Sequence, residues 1–318
     1  MIETKETGRQ EDPKNLPAPD DPQSSNDGGY RENQAHSVSA GIPWVPQSTN
    51  TENNGNACFF DWYQASVLVD WGNLRTQLES AGVMLRELGY GRNGYRRVYE
   101  GILADGTKLT ICATGNNGAP PNVTGFGYNA PRVAALLRSL PWPHRVTRVD
   151  STRDYTGVGA WEALDGYLEG YAREHRLLTS VAGDWLTPGS PRGRTLYIGG
   201  TTSPVRLRLY EKGKKEQDSD FSWTRLELVV RPQREQRDKA ATATPDEMWG
   251  YAKWPREVYQ TLFGGLPDAV QAPSRRSNDE LNARLIKMIK RNGKLFSAGL
   301  TKYGTQGFVD LVYKVLSV

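Results

Sequence analysis

The sequence predicts an α+β fold: an antiparallel or mixed β-sheet with helices on one face, a small helical C-terminal module, and a disordered N-terminal tail. Three observations carry this. Between residues 56 and 235, strand-like and helix-like segments interleave and several strand pairs read as hairpins, the connection that antiparallel neighbours use. Residues 1–55 are rich in Pro, Asn, Asp, Ser, Gly and Gln with almost no aliphatic periodicity, so they bury too little surface to offset their ordering entropy. Residues 236–318 read as helices alone. The expected divisions are therefore a tail over 1–55, a mixed domain over 56–235 and a helical module over 236–318.

Each element has a local cause. CFFDWYQASV (58–67) is aromatic and β-branched, hence a strand. NLRTQLESAGVMLRELG (73–89) spaces Leu74, Leu78, Leu85 and Leu88 as a helix does, weakened by Gly82 and ended by Gly89. YRRVYEGILADGTKLTICATG (95–115) is a hairpin turning at Asp105-Gly106. Asn129 is placed to cap a helix that carries Pro131 in its first turn and stops at Pro141. RVTRVDSTRDY (145–155) is a strand, and GAWEALDGYLEGYAREH (159–175) a helix with Trp161, Leu164 and Leu168 on one stripe. TLYIGGTTSPVRLRLYEKG (195–213) is a second hairpin, and SWTRLELVVRP (222–232) a strand stopped by Pro232. Three helices follow, in DEMWGYAKWPREVYQTLFGG, NDELNARLIKMIKRNG and LTKYGTQGFVDLVYKVL, with basic residues at Lys287, Lys290, Arg291 and Lys294.

Composition narrows the function classes. With 318 residues, 37% of them hydrophobic, the chain can build a sizeable core. Two cysteines, Cys58 and Cys112, rule out a disulfide scaffold and a cysteine-built zinc site; His36, His144 and His175 form no paired-histidine motif. No run approaches the ~20 apolar residues of a membrane span, and the opening MIETKETGRQEDPKN lacks the apolar stretch of a secretory signal. A soluble, cytoplasmic protein with no membrane partner is expected. Residues 1–50 hold eight acids and four bases, leaving 36 bases against 28 acids in the rest, a net +8. A basic body suits a phosphate-rich partner, because neutralising phosphates releases condensed counterions.

The chemistry is carried by alternation along three strands. In VRLRLYEK, Val205, Leu207 and Leu209 share one face, and Arg206, Arg208, Tyr210 and Lys212 the other. In WTRLELVV, Leu226, Leu228 and Val230 oppose Trp223, Arg225 and Glu227. In the 145–155 strand, Arg148, Asp150, Thr152 and Asp154 lie together, and Asp61 joins them if the register suits. Such a polar face suits phosphoryl transfer. Carboxylates gather a hard divalent cation, and arginines hold neighbouring phosphates. A tyrosine becomes a nucleophile only where something stabilises its phenolate, such as Lys212 or the metal. The alternative is ordinary cross-strand pairing, Arg208 and Arg225 with Glu227 and Asp150. The glycine-rich GFGYNAPR (125–132) precedes a helix but lacks the Gly-Lys-Ser/Thr of a nucleotide loop, so a tight turn is expected there.

TLYIGGTTSPVRLRLYEKG followed by WTRLELVVRP resembles the paired signature of the Rep_trans-type replication initiation proteins. These serve small rolling-circle plasmids, some filamentous phages and the relaxases of some conjugative elements. The matched residues are Thr195, Tyr197, Gly199, Ser203, Arg208, Tyr210, Glu211 and Lys212, then Trp223, Arg225 and Glu227. Upstream, VTRVDSTRDY resembles the family's Arg-x-Asp strand through Arg148, Asp150 and Asp154, and FFDWYQAS its opening strand through Asp61. The four blocks run in order over residues 58–232. Ser151-Thr152-Arg153 departs from the more apolar family pattern.

The resemblance implies a Rep nicking-type domain over 56–235 that cuts one strand of an origin, keeps a 5′-phosphotyrosine and frees a 3′-hydroxyl. By position Tyr210 is the nucleophile, with Tyr197 the second choice. Asp61, Asp150 and Glu227 are the implied ligands of a divalent Mg²⁺ or Mn²⁺ ion, with Asp154 in reserve, while Lys212 and Arg208 steady phosphate and phenolate. The implied partner is origin DNA, single-stranded or cruciform, in a bacterial host, with a host helicase and a second copy of the chain as further partners. The C-terminal helices would serve origin recognition or dimer contacts. A conjugative relaxase shares every one of these residues. A non-catalytic DNA-binding regulator is the reading from a different class.

Overall fold

The structure is a computed structural model that describes residues 57–187, 189–216, 222–272 and 278–316; the tail expected over 1–55 lies outside the described residues. In chain order the elements are β1 (Phe59–Val67), α1 (Trp71–Ser80), β2 (Met84–Glu87), β3 (Tyr95–Ile102), β4 (Lys108–Gly115), β5 (Asn122–Phe126), α2 (Asn129–Ser139), β6 (His144–Tyr155) and α3 (Ala160–Glu174). They continue as β7 (Thr179–Ala182), β8 (Thr195–Ile198), β9 (Val205–Glu211), α4 (Lys212–Lys215), β10 (Thr224–Val230), α5 (Gln236–Ala240), α6 (Lys253–Phe263), α7 (Asn278–Arg291) and α8 (Gly293–Leu316). The ten strands form one sheet in the order β2-β3-β4-β5-β1-β6-β10-β9-β8-β7. Every neighbouring pair is antiparallel. The fold class is α+β, as the hairpin pattern predicts.

Strand alternation decides which face is covered. Tyr63 and Ala65 of β1, Val149 of β6, Leu207 and Leu209 of β9, and Leu226 and Leu228 of β10 share one core with Val133 and Leu137 of α2, Leu164 and Leu168 of α3, Trp249, and Val258 of α6. Residue Gly125 of β5 lies under α2, where an added Cβ would stand 2.6 Å from Val133 Cγ2. Gly125→Ala is therefore expected to force α2 outward and cost roughly 1–3 kcal/mol, read as a lower urea midpoint. The polar side chains of the same strands are left on the opposite face.

Several expectations are corrected. The helix expected over 73–89 ends at Ser80, and Gly82, at φ 81°, turns the chain into β2. In β2, Arg86 pairs with Glu100 of β3. Strands β5 and β7 were not expected: β5 is short and interrupted by Gly125, and β7 is an exposed edge without a buried stripe. Asn129 does not cap α2; its Oδ1 accepts from the backbone N–H of Lys108 at 2.8 Å and ties the helix start to β4. The segment from Asp246 is a 3₁₀ turn over Asp246–Tyr251 followed by α6, separated at extended Ala252.

The division expected at 235/236 falls instead after Gln271. Residues 236–271 complete the sheet domain. The Asp246 carboxylate accepts from the backbone N–H groups of Ala57 and Cys58 at 2.8 and 2.9 Å, and Trp249 Nε1 donates to Ser151 Oγ at 3.0 Å. Trp249 and Val258 are fully buried, so these aromatic helices are core, and α7 and α8 alone make the second unit. Within that unit α8 breaks at Gly304, φ 67°, and Phe308 folds back against Phe296, ring centroids 5.7 Å apart. Among the described residues no helix is long and apolar enough to cross a membrane.

His144, at the start of β6, is buried beneath the Tyr63 hydroxyl, with 2.8 Å between that oxygen and His144 Nε2. Burial, aided by the Arg138 charge, pushes its pKa down to about 4. The unfolded chain takes up this proton near pH 6.5 and the folded chain does not. Stability is therefore present above pH 6.5 and lost as the pH falls toward 4. His144→Gln is expected to reduce the loss of stability between pH 7 and pH 5 by about 2 kcal/mol, measured by urea unfolding at the two pH values.

Candidate active site

Four strands, β9, β10, β6 and β1, put the polar residues into rows across the open face of the sheet. Tyr210 stands opposite Arg225, which stands opposite Asp154. One step along, Tyr197 of β8 meets Arg208, then Glu227, then Thr152. The next row runs Arg206, Val229, Asp150, Trp62 and Phe126. A register shift in β1 between Phe60 and Trp62 makes Asp61 the extra residue. Such a bulge re-aims a side chain, and it brings Asp61 onto the open face beside Arg225.

The arginines and carboxylates interlock. Arg225 donates from Nε and Nη2 to the two oxygens of Asp154 at 2.6 and 2.7 Å, and from Nη1 to Asp61 Oδ1 at 2.7 Å. Arg208 Nη2 lies 2.6 and 2.7 Å from the two oxygens of Glu227. Arg148 reaches both oxygens of Asp150, Nε at 2.9 Å and Nη2 at 2.6 Å, and stacks over the Trp62 ring with its guanidinium 4.3 Å from the centroid. The cross-strand pairing weighed from the sequence is thus present for Arg208 with Glu227. Arg225 takes Asp154 and Asp61 rather than Asp150, because register places Asp154 opposite it.

A small pocket opens on this face, lined by Asp61, Trp62, Phe126, Gly127, Arg148, Asp150, Arg208, Tyr210, Lys212 and Lys215. Tyr210 is at its wall: Arg208 stands 4.9 Å and Lys215 Nζ 5.4 Å from its ring centroid. Its hydroxyl makes no hydrogen bond with the described residues. Lys212 begins the turn α4 that follows β9 and is ion-paired with Glu216. Tyr197 lies outside this lining, its ring stacked on Arg206 at 3.9 Å.

Burial sets the protonation states. It raises Tyr210 well above an ordinary phenol, partly countered by Arg225 and Arg208. Burial and the Arg225 charge lower Lys212. Burial pushes Asp150 up to about 7 against the pull of Arg148, with the Glu227 charge adding to the rise. In Asp61 burial is overcome by Arg225, Lys212 and Arg208, which hold the carboxyl below its usual range.

The expected metal ligands are divided by this geometry. Among the described residues no group of three or more His, Cys, Asp or Glu stands together in the manner of a metal site. Glu227 has no exposure and is held by Arg208, and Asp154 is held by Arg225. Asp61 and Asp150 line the pocket, and Asp61 Oδ2 has no partner among the described residues. Two carboxylates suffice for Mg²⁺ when substrate phosphates supply further oxygens, so this pair fits a hard cation provided the cation takes the place of Arg148 on Asp150, and the larger set, outside the pocket lining, does not. Of the residues nominated from sequence, Asp61, Asp150, Arg208, Tyr210 and Lys212 come together. Five lining residues were not nominated: Trp62, Phe126, Gly127, Arg148 and Lys215. Arg148 had a signal, its place two residues before Asp150 in the matched block; Trp62 follows Asp61 in its own matched block, Phe126 and Gly127 lie in the glycine-rich GFGYNAPR, and Lys215 had none.

No protein-family model matches this chain, and no curated protein matches it. Three solved chains do. One is the rolling circle replication initiator protein from Geobacillus stearothermophilus, with a TM-score of 0.46 and 16% identity, over 69% of this chain and 88% of that one.

Proposed function

We propose that this protein is a rolling-circle replication initiator that nicks one DNA strand through Tyr210. The observation that carries the reading is convergence. Five residues nominated by the sequence resemblance, from three strands and a turn, line one pocket. The pocket joins a tyrosine hydroxyl that makes no hydrogen bond among the described residues to four cationic side chains, Arg148, Arg208, Lys212 and Lys215, suited to a phosphate. In the reaction the Tyr210 oxygen attacks phosphorus and the bond to the 3′ oxygen breaks. The 5′-phosphate stays on the tyrosine, and the phenol's proton is balanced by the one gained by the released 3′-hydroxyl. One phosphodiester replaces another, so the ends can be rejoined by the reverse step.

Arg208 and Lys215 neutralise the phosphate and the developing phenolate. Arg225 holds Asp61 in place from beneath. Asp61 and Asp150 would hold a divalent cation, which when bound polarises a phosphate oxygen and offsets transition-state charge. Origin DNA is the proposed partner, in the cytoplasm of a bacterial host, with a helicase and a second copy of the chain as further proposed partners.

The test is incubation of the full chain with labelled single-stranded DNA from its own element, with Mn²⁺ or with EDTA, on a denaturing gel. A metal-dependent covalent adduct mapped to Tyr210 supports the reading. Salt-sensitive binding with no adduct would favour a non-catalytic DNA-binding regulator. One observation leans that way: arginines already occupy three of the four carboxylates on both oxygens.

A further inference from the structure

Beyond the pocket the same open face continues in a different character. Past the row of Asp150, the next open-face position on β6 is Arg148, with Gln64 of β1 opposite it and Thr124 of β5 opposite Gln64, and Arg231 follows directly on the end of β10. Arg206 lies opposite Val229, one step back. The sole acid of this region is Asp150, and Arg148 holds both its oxygens. Arg231 is exposed and no carboxylate of the described residues pairs with it. Arg148 and Arg206 stand near enough to repel Arg231, with Asp150 acting in the opposite sense, and an incoming anion relieves that repulsion. Beside these arginines, Trp62 and Phe126 form an aromatic pair, centroids 6.1 Å apart, reaching the pocket lining.

We propose that this region is a single-stranded DNA subsite: Trp62 and Phe126 stack a nucleobase beside the reacting phosphate, and Arg231 with Arg206 holds the next phosphate. The proposal deepens the nicking reading and rests on it for the identity of the ligand. The physical fit is direct. Alternate residues on a strand are about 6.6 Å apart, so Arg231 and the pocket offer phosphate contacts in sequence along an extended chain. Aromatic faces accept any base, which suits an unpaired strand and not a stacked duplex.

The test measures binding without chemistry. A short labelled oligonucleotide of mixed sequence is titrated with the full chain in EDTA over a salt series, by fluorescence anisotropy. Trp62→Leu is expected to weaken single-strand binding roughly tenfold or more, and Trp62→Phe to retain most of it. Arg231→Ala is expected to lower the slope of log affinity against log salt by about 0.7. Arg75→Ala, on the exposed helix α1, removes the same charge elsewhere and is expected to leave the slope unchanged. An Arg231→Ala slope equal to that of Arg75→Ala, or equal affinities for the Trp62→Leu variant and the unaltered chain, overturns the proposal. A chain that forms the covalent adduct yet shows neither effect sinks this subsite and leaves the nicking reading intact. A chain that shows both effects and forms no adduct does the reverse.

Discussion

Tyr210→Phe is expected to abolish the covalent protein–DNA adduct while leaving single-strand affinity within about twofold, because the ring and its stacking remain and only the oxygen is lost. Tyr197→Phe is expected to leave the adduct in place. The contrast follows from position. Both tyrosines face the same side of the sheet, but Tyr210 lines the pocket beside Arg208 and Lys215, and Tyr197 is stacked on Arg206 outside it. Burial raises the Tyr210 phenol, so its reactivity depends on cations supplied on binding. Adduct yield in the unaltered chain should therefore rise when Mn²⁺ is added. An adduct from Tyr210→Phe, mapped to Tyr197, would transfer the nucleophile's role to that residue.

Arg225→Met is expected to destabilise the fold by about 3–5 kcal/mol, the cost of removing one partner from a buried ionic network. Arg225 is only 6% exposed and serves Asp154 on two bonds and Asp61 on one. Without it, buried Asp154 loses the partner of both its oxygens and Asp61 loses its hydrogen-bonded arginine, keeping only the more distant charges of Lys212 and Arg208. The measurement is the urea midpoint, and a second variant separates network from packing. Adding Asp154→Asn to Arg225→Met removes one stranded charge and is expected to recover part of the loss, whereas purely steric damage would leave the two substitutions additive. The same variant should weaken nicking beyond its effect on folding, since Asp61 is held in the pocket by Arg225.

The polar face was legible because strand alternation is a local property. Arg208, Tyr210, Arg225, Glu227, Asp150 and Asp154 each fall on the face that period two assigns, and the structure keeps them there. Asp61 was placed only conditionally, since its orientation depends on a bulge against β6 that no single strand reveals. Trp62 could not be assigned to the site for the same reason: without the bulge, adjacent residues of a strand point to opposite faces. The helix expected over 73–89 failed because Leu85 and Leu88 keep helical spacing with Leu74 and Leu78 across Gly82, while a left-handed glycine and pairing with β3 override that period.

Local pattern alone was enough for the α+β class, the hairpins and the face of the charged side chains on β6, β9 and β10, because propensity and periodicity act over a few residues. It also nominated a tyrosine with arginines and carboxylates as one site. Which carboxylates line the pocket was settled by register and packing. Register puts Asp154 opposite Arg225 and Glu227 opposite Arg208, away from the pocket lining, while Asp61, on one oxygen with Arg225, and Asp150, on both with Arg148, line it. Tertiary packing likewise decided that 236–271 belong to the sheet domain, since Trp249 and Val258 read as helix residues in sequence but need the covered face of the sheet to bury them.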